Sequence, residues 1–321
     1  MTVKERLRAL VPARLYTALA ARKYALMTRI SPAWNSRARW KQKFHTRLDL
    51  AAPVLFNEKL MWLKLNCYNK SPFVRRLADK YQVLHYVESL GLGALVKTCF
   101  GVWDRPEEID WDALPERFVL KTTLGCGHHV FCRDKAAFDR AAAADALRRA
   151  QRQRDYLQYS ELQYRPTRET PNRILCERLL DTGDAGAPND YKLYCFYGEP
   201  RFVLTCFDRA ESGKAEYLFT DLAWNRVDYH PSTCADGVIP RPACLDEMIE
   251  AARRLSAPFP FVRVDFFEEH GRPVFGELTF TPAGCVDDEY TEKGHRALGE
   301  LIDLCRVDAG ALLRLKQDRR G

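Results

Sequence analysis

The sequence predicts an α+β fold built on antiparallel sheets. Extended apolar segments outnumber the uninterrupted strand–helix–strand units that a doubly wound parallel sheet requires. Two of these segments flank a polar turn at 268–272, and two more flank a turn at 197–200, as the strands of β-hairpins do. The chain has 321 residues, which is enough for two or three lobes with buried cores.

Helices and strands follow one another in a definite order along the chain. The apolar periodicity predicts helices at 56–70, 72–89, 135–165, 246–256 and 296–316. The first of these has its apolar positions at Leu60, Trp62, Leu63 and Leu65. Apolar extended runs predict strands at 95–103, 117–121, 130–131 and 173–180, and a pair of strands within 190–207.

These elements divide the chain into four predicted parts. They are a basic helical N-terminal extension at 1–55, an N-terminal lobe at 56–115, a small lobe at 116–180 and a C-terminal lobe at 181–321. With 46% hydrophobic and 29% charged residues, the composition is that of a globular protein. The sequence shows neither the ~20-residue apolar run of a membrane span nor a signal peptide, so we expect a cytoplasmic protein.

Cysteine usage agrees with a reducing compartment. The 11 cysteines form no CxxC pair, and several lie in apolar segments, where we expect buried thiols. These are Cys99, Cys176, Cys195 and Cys206. A zinc site is not expected, because the spacing of the nearest candidates suits a loop and a strand better than a tetrahedral site. Those candidates are Cys126, His128, His129 and Cys132.

The N-terminal extension is strongly basic. Residues 1–50 contain 12 Lys or Arg and only two acidic residues, Glu5 and Asp49. Apolar residues recur at roughly helical spacing between Leu7 and Ile30, although Pro12 interrupts the pattern. A helical cap with a solvated basic face explains this pattern, and so does a surface that meets anionic lipid or a polyanionic substrate. We do not expect nucleic acid as a partner, because no binding module accompanies the charge.

The segment 261–284 carries the strongest chemical signal. Because side chains alternate along a strand, Arg263 and Asp265 share one face, and Glu277 and Thr279 share one face of the returning strand. The opposite face of that strand takes Val274, Leu278 and Phe280. A hairpin symmetric about Gly271 places Asp265 opposite Glu277, with Cβ atoms roughly 4.5–5.5 Å apart. Such carboxylates suit Mg²⁺, although Arg263 alone could neutralise both acids on a solvated face.

A Gly-rich loop follows the strand that ends at Lys121. The sequence Thr-Thr-Leu-Gly-Cys-Gly at 122–127 offers free backbone amides beside a cation, which suits phosphate. The GxxxxGK[ST] sequence of a Walker A loop is absent, and the extended continuation at 128–131 differs from a dinucleotide-binding GxGxxG turn. The loop alone is equally compatible with a surface turn after a strand-end lysine.

Taken in order, several segments resemble the ATP-grasp superfamily, and most closely the TupA-like ATP-grasp family of cell-surface polysaccharide gene clusters. The matching segments are FNEKLMWLKL (56–65), ADKYQVLHYV (78–87), RFVLKTTLGCG (117–127), ILCERLL (174–180), NDYKLYCFYGEP (189–200), and FVRVDFF with FGELTFTPAG (261–284). The last pair is the most specific. The resemblance implies two α+β lobes that clasp ATP.

The resemblance also implies roles for individual residues. Lys121 holds ATP phosphates, the loop from Gly125 to Gly127 closes over them, and Asp190 reaches the ribose. The adenine hinge takes Glu177 and Leu179. Asp265 and Glu277 carry Mg²⁺, with Thr279 as a weak further ligand. Arg263 stabilises the reacting carboxyl oxygen, and Lys192 reaches toward the phosphates.

Two positions depart from the superfamily pattern. Leu84 stands where many relatives have a second cation for the phosphates, so His85, Lys80 or no residue takes that task. Thr279 stands where many superfamily members have Asn, but TupA-like members have Thr at this position. The roles of His128 and His129 beside the loop stay open.

The implied activity is that of an ADP-forming carboxylate–amine ligase that works through an acyl phosphate. Its expected partners are an acidic polysaccharide or precursor, such as a uronic acid, and an amine; the net charge of +7 suits an acidic substrate. The alternatives are a sugar-kinase-like phosphotransferase and a glycosyltransferase of the same pathway. A DxD motif in a suitable strand-end loop is absent, and the nearest acidic cluster lies at 286–289.

Overall fold

Two antiparallel sheets form the framework of the protein in the computed structural model, which describes residues 13–181, 188–207, 216–234 and 239–315. The four-stranded sheet has the order β1-β4-β2-β3, with strands β1 (Cys99–Trp103), β2 (Phe118–Thr122), β3 (His129–Cys132) and β4 (Ile174–Arg178). The five-stranded sheet has the order β7-β6-β5-β8-β9, with strands β5 (Asp190–Phe196), β6 (Glu199–Phe207), β7 (Glu216–Asp221), β8 (Phe261–Glu269) and β9 (Arg272–Thr279). All pairings within both sheets are antiparallel, which confirms the predicted α+β class.

Helices surround these sheets. They are α1 (Ala13–Ile30), α2 (Pro32–Phe44), α3 (Phe56–Leu63), α4 (Pro72–Ala78), α5 (Gln82–Ser89), α6 (Arg140–Arg152), α7 (Leu245–Ser256), α8 (Glu292–Glu300) and α9 (Ala309–Arg314). The larger core lies between the five-stranded sheet and helices α3, α4, α5 and α7. A smaller core lies between the four-stranded sheet and α6. None of the described helices is long and apolar enough to cross a bilayer.

The helix predicted at 72–89 is wrong in one important respect, because it is interrupted at Asp79. This residue adopts an extended conformation, with φ −83° and ψ 121°. Its Oδ1 atom accepts hydrogen bonds from the backbone N–H groups of Tyr81 and Gln82, at 3.0 and 2.9 Å. Asp79 thereby satisfies two backbone N–H groups at the start of α5, as short acidic side chains commonly do. The interruption frees the Lys80 backbone N–H to donate to the Thr123 carbonyl at 2.8 Å.

Three other predicted helices are too long. The segment predicted at 56–70 leaves α-helical geometry for a π-helical turn, Lys64–Tyr68. In this turn the buried Lys64 ammonium donates to the Tyr159 and Gly284 carbonyls, both at 2.8 Å. The segment predicted at 135–165 is helical only in α6 and then becomes irregular. The segment at 296–316 is split between α8 and α9, and its last residue lies outside the described residues. Strand β7 was not predicted at all.

The β8–β9 hairpin has the predicted pairing of Asp265 with Glu277 and of Arg263 with Thr279. The turn, however, is the pair His270–Gly271, with φ 52° and 74°, so the hairpin is not symmetric about Gly271. A β-bulge at Gly276 adds one residue to β9 and restores the predicted register at the site. In the part of β9 before the bulge, each side chain lies on the face opposite to the predicted one. Val274 therefore pairs with Phe267, and the prediction that it takes the face opposite Glu277 is wrong.

The cysteine predictions hold in part. Cys176, Cys195 and Cys206 are buried, whereas Cys99 is exposed because it starts β1 at the outer edge of the four-stranded sheet. Burial raises the pKa of Cys176 and of Cys195 to about 12, so these thiols are inert at neutral pH. The division into four predicted parts stays a prediction, and β1, which falls in the predicted lobe 56–115, pairs with β4 of the next lobe.

Candidate functional site

Two clefts meet at the β8–β9 hairpin. The first cleft has a volume of about 660 Å³ and is lined by residues from both sheets. Among them are Lys80, Lys97, Lys121, Gly127, His129, Glu177, Leu179, Asp190, Lys192, Asp265 and Glu277. The second cleft has a volume of about 740 Å³. It includes Arg39, Lys80, Gly125, Asp155, Tyr159, Glu161, Arg263, Glu277, Thr279 and Asp287. Most of the residues singled out from the sequence therefore face one of two adjoining cavities.

Glu177 lies between two lysines in the first cleft. Its Oε2 atom is 2.6 Å from the Lys121 ammonium and 3.0 Å from the Lys97 ammonium. Cross-strand pairing explains this arrangement. Val119 of β2 and Cys99 of β1 both oppose Glu177 in β4, and each lysine lies two residues away from one of them along the chain. Burial alone raises the pKa of Glu177, but the two lysines outweigh burial and lower this pKa to about 2. Glu177 is thus a charged residue that holds both cations in the cleft.

Lys80 supplies a third cation, next to the Gly-rich loop. Its ammonium donates a hydrogen bond to the Gly125 carbonyl, and the side chain lines both clefts. Burial lowers the pKa of Lys80, and the Glu277 carboxylate counteracts part of that decrease. His85, the other candidate for this task, points elsewhere and lies 3.6 Å from Glu88 on the surface of α5.

Asp265 is bound by two cations. Arg263 donates to both carboxylate oxygens, at 2.8 and 2.7 Å, and the Lys192 ammonium lies 3.0 Å from Oδ2. Lys192 also bridges to Asp190, two residues earlier on the same face of β5. Burial raises the pKa of Asp265, but Arg263 and Lys192 outweigh it, so the pKa is lowered and the carboxylate stays ionised.

Glu277 lies opposite Asp265, and its partners differ. The Thr279 hydroxyl donates to Glu277 Oε1 at 2.9 Å and accepts a hydrogen bond from Arg263 at 3.3 Å. Arg263 therefore pairs directly with Asp265, and its hydrogen-bond path to Glu277 runs through Thr279. The hydrogen bond from the Thr279 hydroxyl orients the carboxylate of Glu277, and the ligation of metal by Thr279 stays a prediction.

The donor set of the hairpin fits Mg²⁺. Asp265 and Glu277 are two cross-strand carboxylates that face the same cleft, and oxygen ligands are those that Mg²⁺ prefers. Lysine side chains surround the same volume and suit the phosphates that Mg²⁺ accompanies. Arg263 and Lys192 take three of the roughly four acceptor sites of the Asp265 carboxylate, and Oδ1 accepts a single hydrogen bond, so a metal would share this carboxylate with both cations.

The two histidines beside the loop differ in environment. His129, at the start of β3, faces the first cleft, where burial together with Lys121 and Lys80 lowers its pKa to about 4. It is therefore neutral at physiological pH. His128 faces the second cleft and lies 4.0 Å from Asp155.

The second cleft contains a half-buried carboxyl, Glu161, that the sequence did not indicate. Glu161 follows α6 in the irregular segment and accepts a hydrogen bond from the Thr281 hydroxyl at 2.5 Å. Burial raises the pKa of Glu161, and the nearby Lys64 ammonium and Thr281 oppose this increase. Gln163 in turn donates to Thr281 at 2.8 Å, so the carboxyl group is held in a fixed position.

Sequence reasoning missed Lys97 and Glu161. Lys97 had a usable signal, since it lies within the strand predicted at 95–103, just as Lys121 lies within the strand predicted at 117–121. Glu161 had no such signal, because it falls within a segment that was predicted to be helical. The residues assigned to ATP face the first cleft, apart from Gly125, while Arg263 and Thr279 face the second.

Antiparallel sheets that carry a lysine-rich cleft, a Gly-rich loop and paired hairpin carboxylates are the features of an ATP-grasp ligase. The sequence profile of the TupA-like ATPgrasp family matches residues 58–303. The chain belongs to the TupA-like ATP-grasp family. This match confirms the family resemblance and the prediction of a ligase that binds ATP.

Solved structures of ATP-grasp ligases show a distant likeness. D-cycloserine synthetase DcsG is 16% identical, with 75% of this chain and 72% of that chain covered and a TM-score of 0.41. D-alanine–D-alanine ligase from Bacillus anthracis complexed with ATP is 14% identical, with 70% and 64% covered and a TM-score of 0.43. The L-amino acid ligase from Bacillus licheniformis is 14% identical, with 64% and 41% covered and a TM-score of 0.37. A search of curated protein sequences found no match.

Proposed function

We propose that this enzyme joins a carboxylate to an amine in an ATP- and Mg²⁺-dependent reaction that forms an acyl phosphate and releases ADP and phosphate. The proposed carboxylate is a uronic acid of a bacterial surface polysaccharide or its precursor. The proposed nucleophile is an amino acid or another amine. The polysaccharide assignment rests on the family, and the reaction type rests on the site.

One observation carries the reaction type. The hairpin carboxylate Glu277 lines both clefts, while Asp265 faces the first cleft and Arg263 the second. A nucleotide in the first cleft and a carboxylate in the second therefore meet at the hairpin. Both clefts together offer the charges that an acyl-phosphate reaction requires, because each of its steps concentrates negative charge at that point.

The first step makes the carboxylate reactive. A carboxylate is a poor electrophile, so its oxygen attacks the γ-phosphorus of ATP, the bond to the β–γ bridging oxygen breaks, and ADP leaves. Lys80, Lys97 and Lys121 hold the phosphates, and Arg263 binds the attacking carboxylate. Asp265 and Glu277 are the residues that hold Mg²⁺. The metal supplies charge neutralisation at the transferring phosphoryl group.

The second step forms the amide. The amine nitrogen attacks the acyl carbon, the bond to the phosphate oxygen breaks, and phosphate leaves. The attacking nitrogen must lose a proton, and Glu161 is the carboxylate that we assign to accept it. Its place in the second cleft suits this role, and its raised pKa makes the ionised carboxylate a stronger base than an ordinary glutamate.

Nucleotide binding and turnover test this proposal separately. A ligand at ~100-fold over its Kd stabilises the folded state by about 2.7 kcal/mol, so Mg-ATP is expected to raise the melting temperature of the wild type. A Lys121→Met variant is expected to lose most of this shift, while Lys70→Met, which removes an exposed lysine, retains it. A shift with a sugar nucleotide and none with ATP would contradict the proposal.

A screen of acids and amines for ADP release then identifies the reaction. Release that depends on both a carboxylate and an amine supports the ligase. Release that depends on a hydroxyl acceptor and needs no amine would instead establish a phosphotransferase.

A further inference from the structure

The outer face of α1 combines two features that a solvent-exposed helix rarely has together. Between residues 13 and 48 the chain has nine Lys or Arg and no Asp or Glu. Within this segment, four large apolar side chains of α1 are exposed. They are Leu15 at 52%, Leu19 at 51%, Leu26 at 58% and Ile30 at 67%.

These four residues form one stripe. At about 100° per residue, their positions fall within an arc of roughly 60° on the helix. The opposite side of α1 is buried against the protein through Tyr24, Met27 and Thr28. Thr28, for example, donates a hydrogen bond to the Leu157 carbonyl at 2.6 Å. The stripe is therefore the outward side of a helix whose other side is already packed.

Basic residues adjoin the apolar stripe. Arg22 and Arg29 lie at one edge and Lys23 at the other, and all three are exposed. A polyanionic polymer needs only the charges and gains little from four exposed aliphatic side chains. An anionic lipid surface uses both, since the aliphatic groups enter the acyl boundary while the cations meet the headgroups. The combination of apolar stripe and basic borders therefore favours anionic lipid over the polyanionic substrate that the sequence left open.

We propose that the apolar stripe of α1, with its basic borders, docks this enzyme on an anionic lipid bilayer. The helix then lies parallel to the membrane plane. The buried side of α1 packs near the second cleft, because Arg39 of α2 stacks 3.8 Å from the ring of Tyr24 and 4.5 Å from the ring of Tyr159. Docking thus holds the second cleft close to the lipid surface. This proposal does not depend on which reaction the enzyme catalyses.

Co-sedimentation of the full chain with vesicles tests the proposal. The wild type is expected to bind phosphatidylglycerol vesicles, to bind phosphatidylcholine vesicles much more weakly, and to dissociate as salt rises. Leu19→Ser combined with Leu26→Ser is expected to weaken binding about tenfold or more. Arg22→Glu combined with Lys23→Glu is expected to weaken it about thirtyfold or more.

Control substitutions outside α1 test whether any loss of vesicle binding is specific to the stripe and its basic borders. Val54→Ser removes an apolar side chain that is 56% exposed outside α1, and Arg149→Glu reverses an exposed charge on α6; neither is expected to change binding. Unchanged melting temperatures would establish that the variants fold. Failure of the wild type to bind, or equal binding by the α1 variants, overturns the proposal. A dimer that the double Leu variant dissociates, without vesicle binding, overturns it in favour of a second copy.

Discussion

The two clefts differ in how their residues are positioned. The first cleft is lined mainly by strand residues, so its side chains follow the alternation of β2, β4, β5 and β8. The second takes one wall from α2 and another from the irregular segment between α6 and β4. Cations dominate the first cleft, whereas the second mixes Arg39, Lys43 and Arg263 with several carboxylates. A regular framework thus presents the nucleotide chemistry, and irregular backbone shapes the pocket proposed for the acceptor.

The strongest test of this division is removal of the carboxylate shared by the clefts. Glu277→Gln is expected to lower kcat by about 10²–10³-fold, because it removes a charge that the transition state requires. Initial-rate kinetics of ADP release measure this loss. Glu247→Gln on the surface of α7 is the control and is expected to behave as the wild type. Near-normal turnover by Glu277→Gln would remove the metal assignment.

Loss of the Glu161 carboxyl in the second cleft is expected to act on the second step alone. Glu161→Gln lowers kcat by about a hundredfold while leaving the KM for ATP unchanged. Because the pKa of Glu161 is raised, the wild type is expected to lose activity as pH falls through that pKa, since the base becomes protonated. A variant that keeps the acidic limb of the kcat profile would assign that limb to another group.

Lys97 lines the first cleft and not the second, so its replacement tests nucleotide binding separately from acceptor binding. Lys97→Met is expected to raise the KM for ATP about tenfold or more and to leave the KM for the acceptor unchanged. It also removes one of two cations that hold the pKa of Glu177 at about 2. A carboxyl with a pKa of about 2, against 4.5 when unfolded, adds about 3 kcal/mol of stability above pH 4.5 that is lost as pH falls toward 2.

Unfolding by urea across this pH range measures that contribution. The free energy of unfolding of the wild type is expected to decline more steeply between pH 4.5 and 2 than that of Lys97→Met. An identical decline in both proteins would mean that Lys97 does not stabilise the Glu177 carboxylate.

The smallest expected effect concerns the bulge that positions Glu277. A Cβ at Gly276 would lie 2.9 Å from the Asp265 carbonyl oxygen, so Gly276→Ala is expected to cost about 1–3 kcal/mol of stability. Gly93→Ala, whose Cβ would meet Glu88 at an ordinary 3.6 Å, is the control. Equal melting temperatures for the two variants would show that the hairpin relaxes without cost.

Local patterns predicted the part of the molecule in which neighbouring residues decide the structure. Strand alternation placed Asp265 opposite Glu277, and the Gly-rich loop after Lys121 does border both clefts. The α+β class followed from the same strands, whereas the family followed from the resemblance of several sequence segments in order. These features depend on a period of two residues and on short turns, both of which are visible along the chain.

Contacts between distant segments decided the rest. The break at Asp79 that brings Lys80 to Gly125, the burial of Lys64 and the place of Glu161 each depend on partners far along the chain. The expected pairing of Asp265 with Glu277 itself required the bulge at Gly276, which no periodicity announces. Periodicity reports which face a side chain takes within one element, whereas ion pairs, bulges and helix breaks are selected by the free energy of packing those elements together.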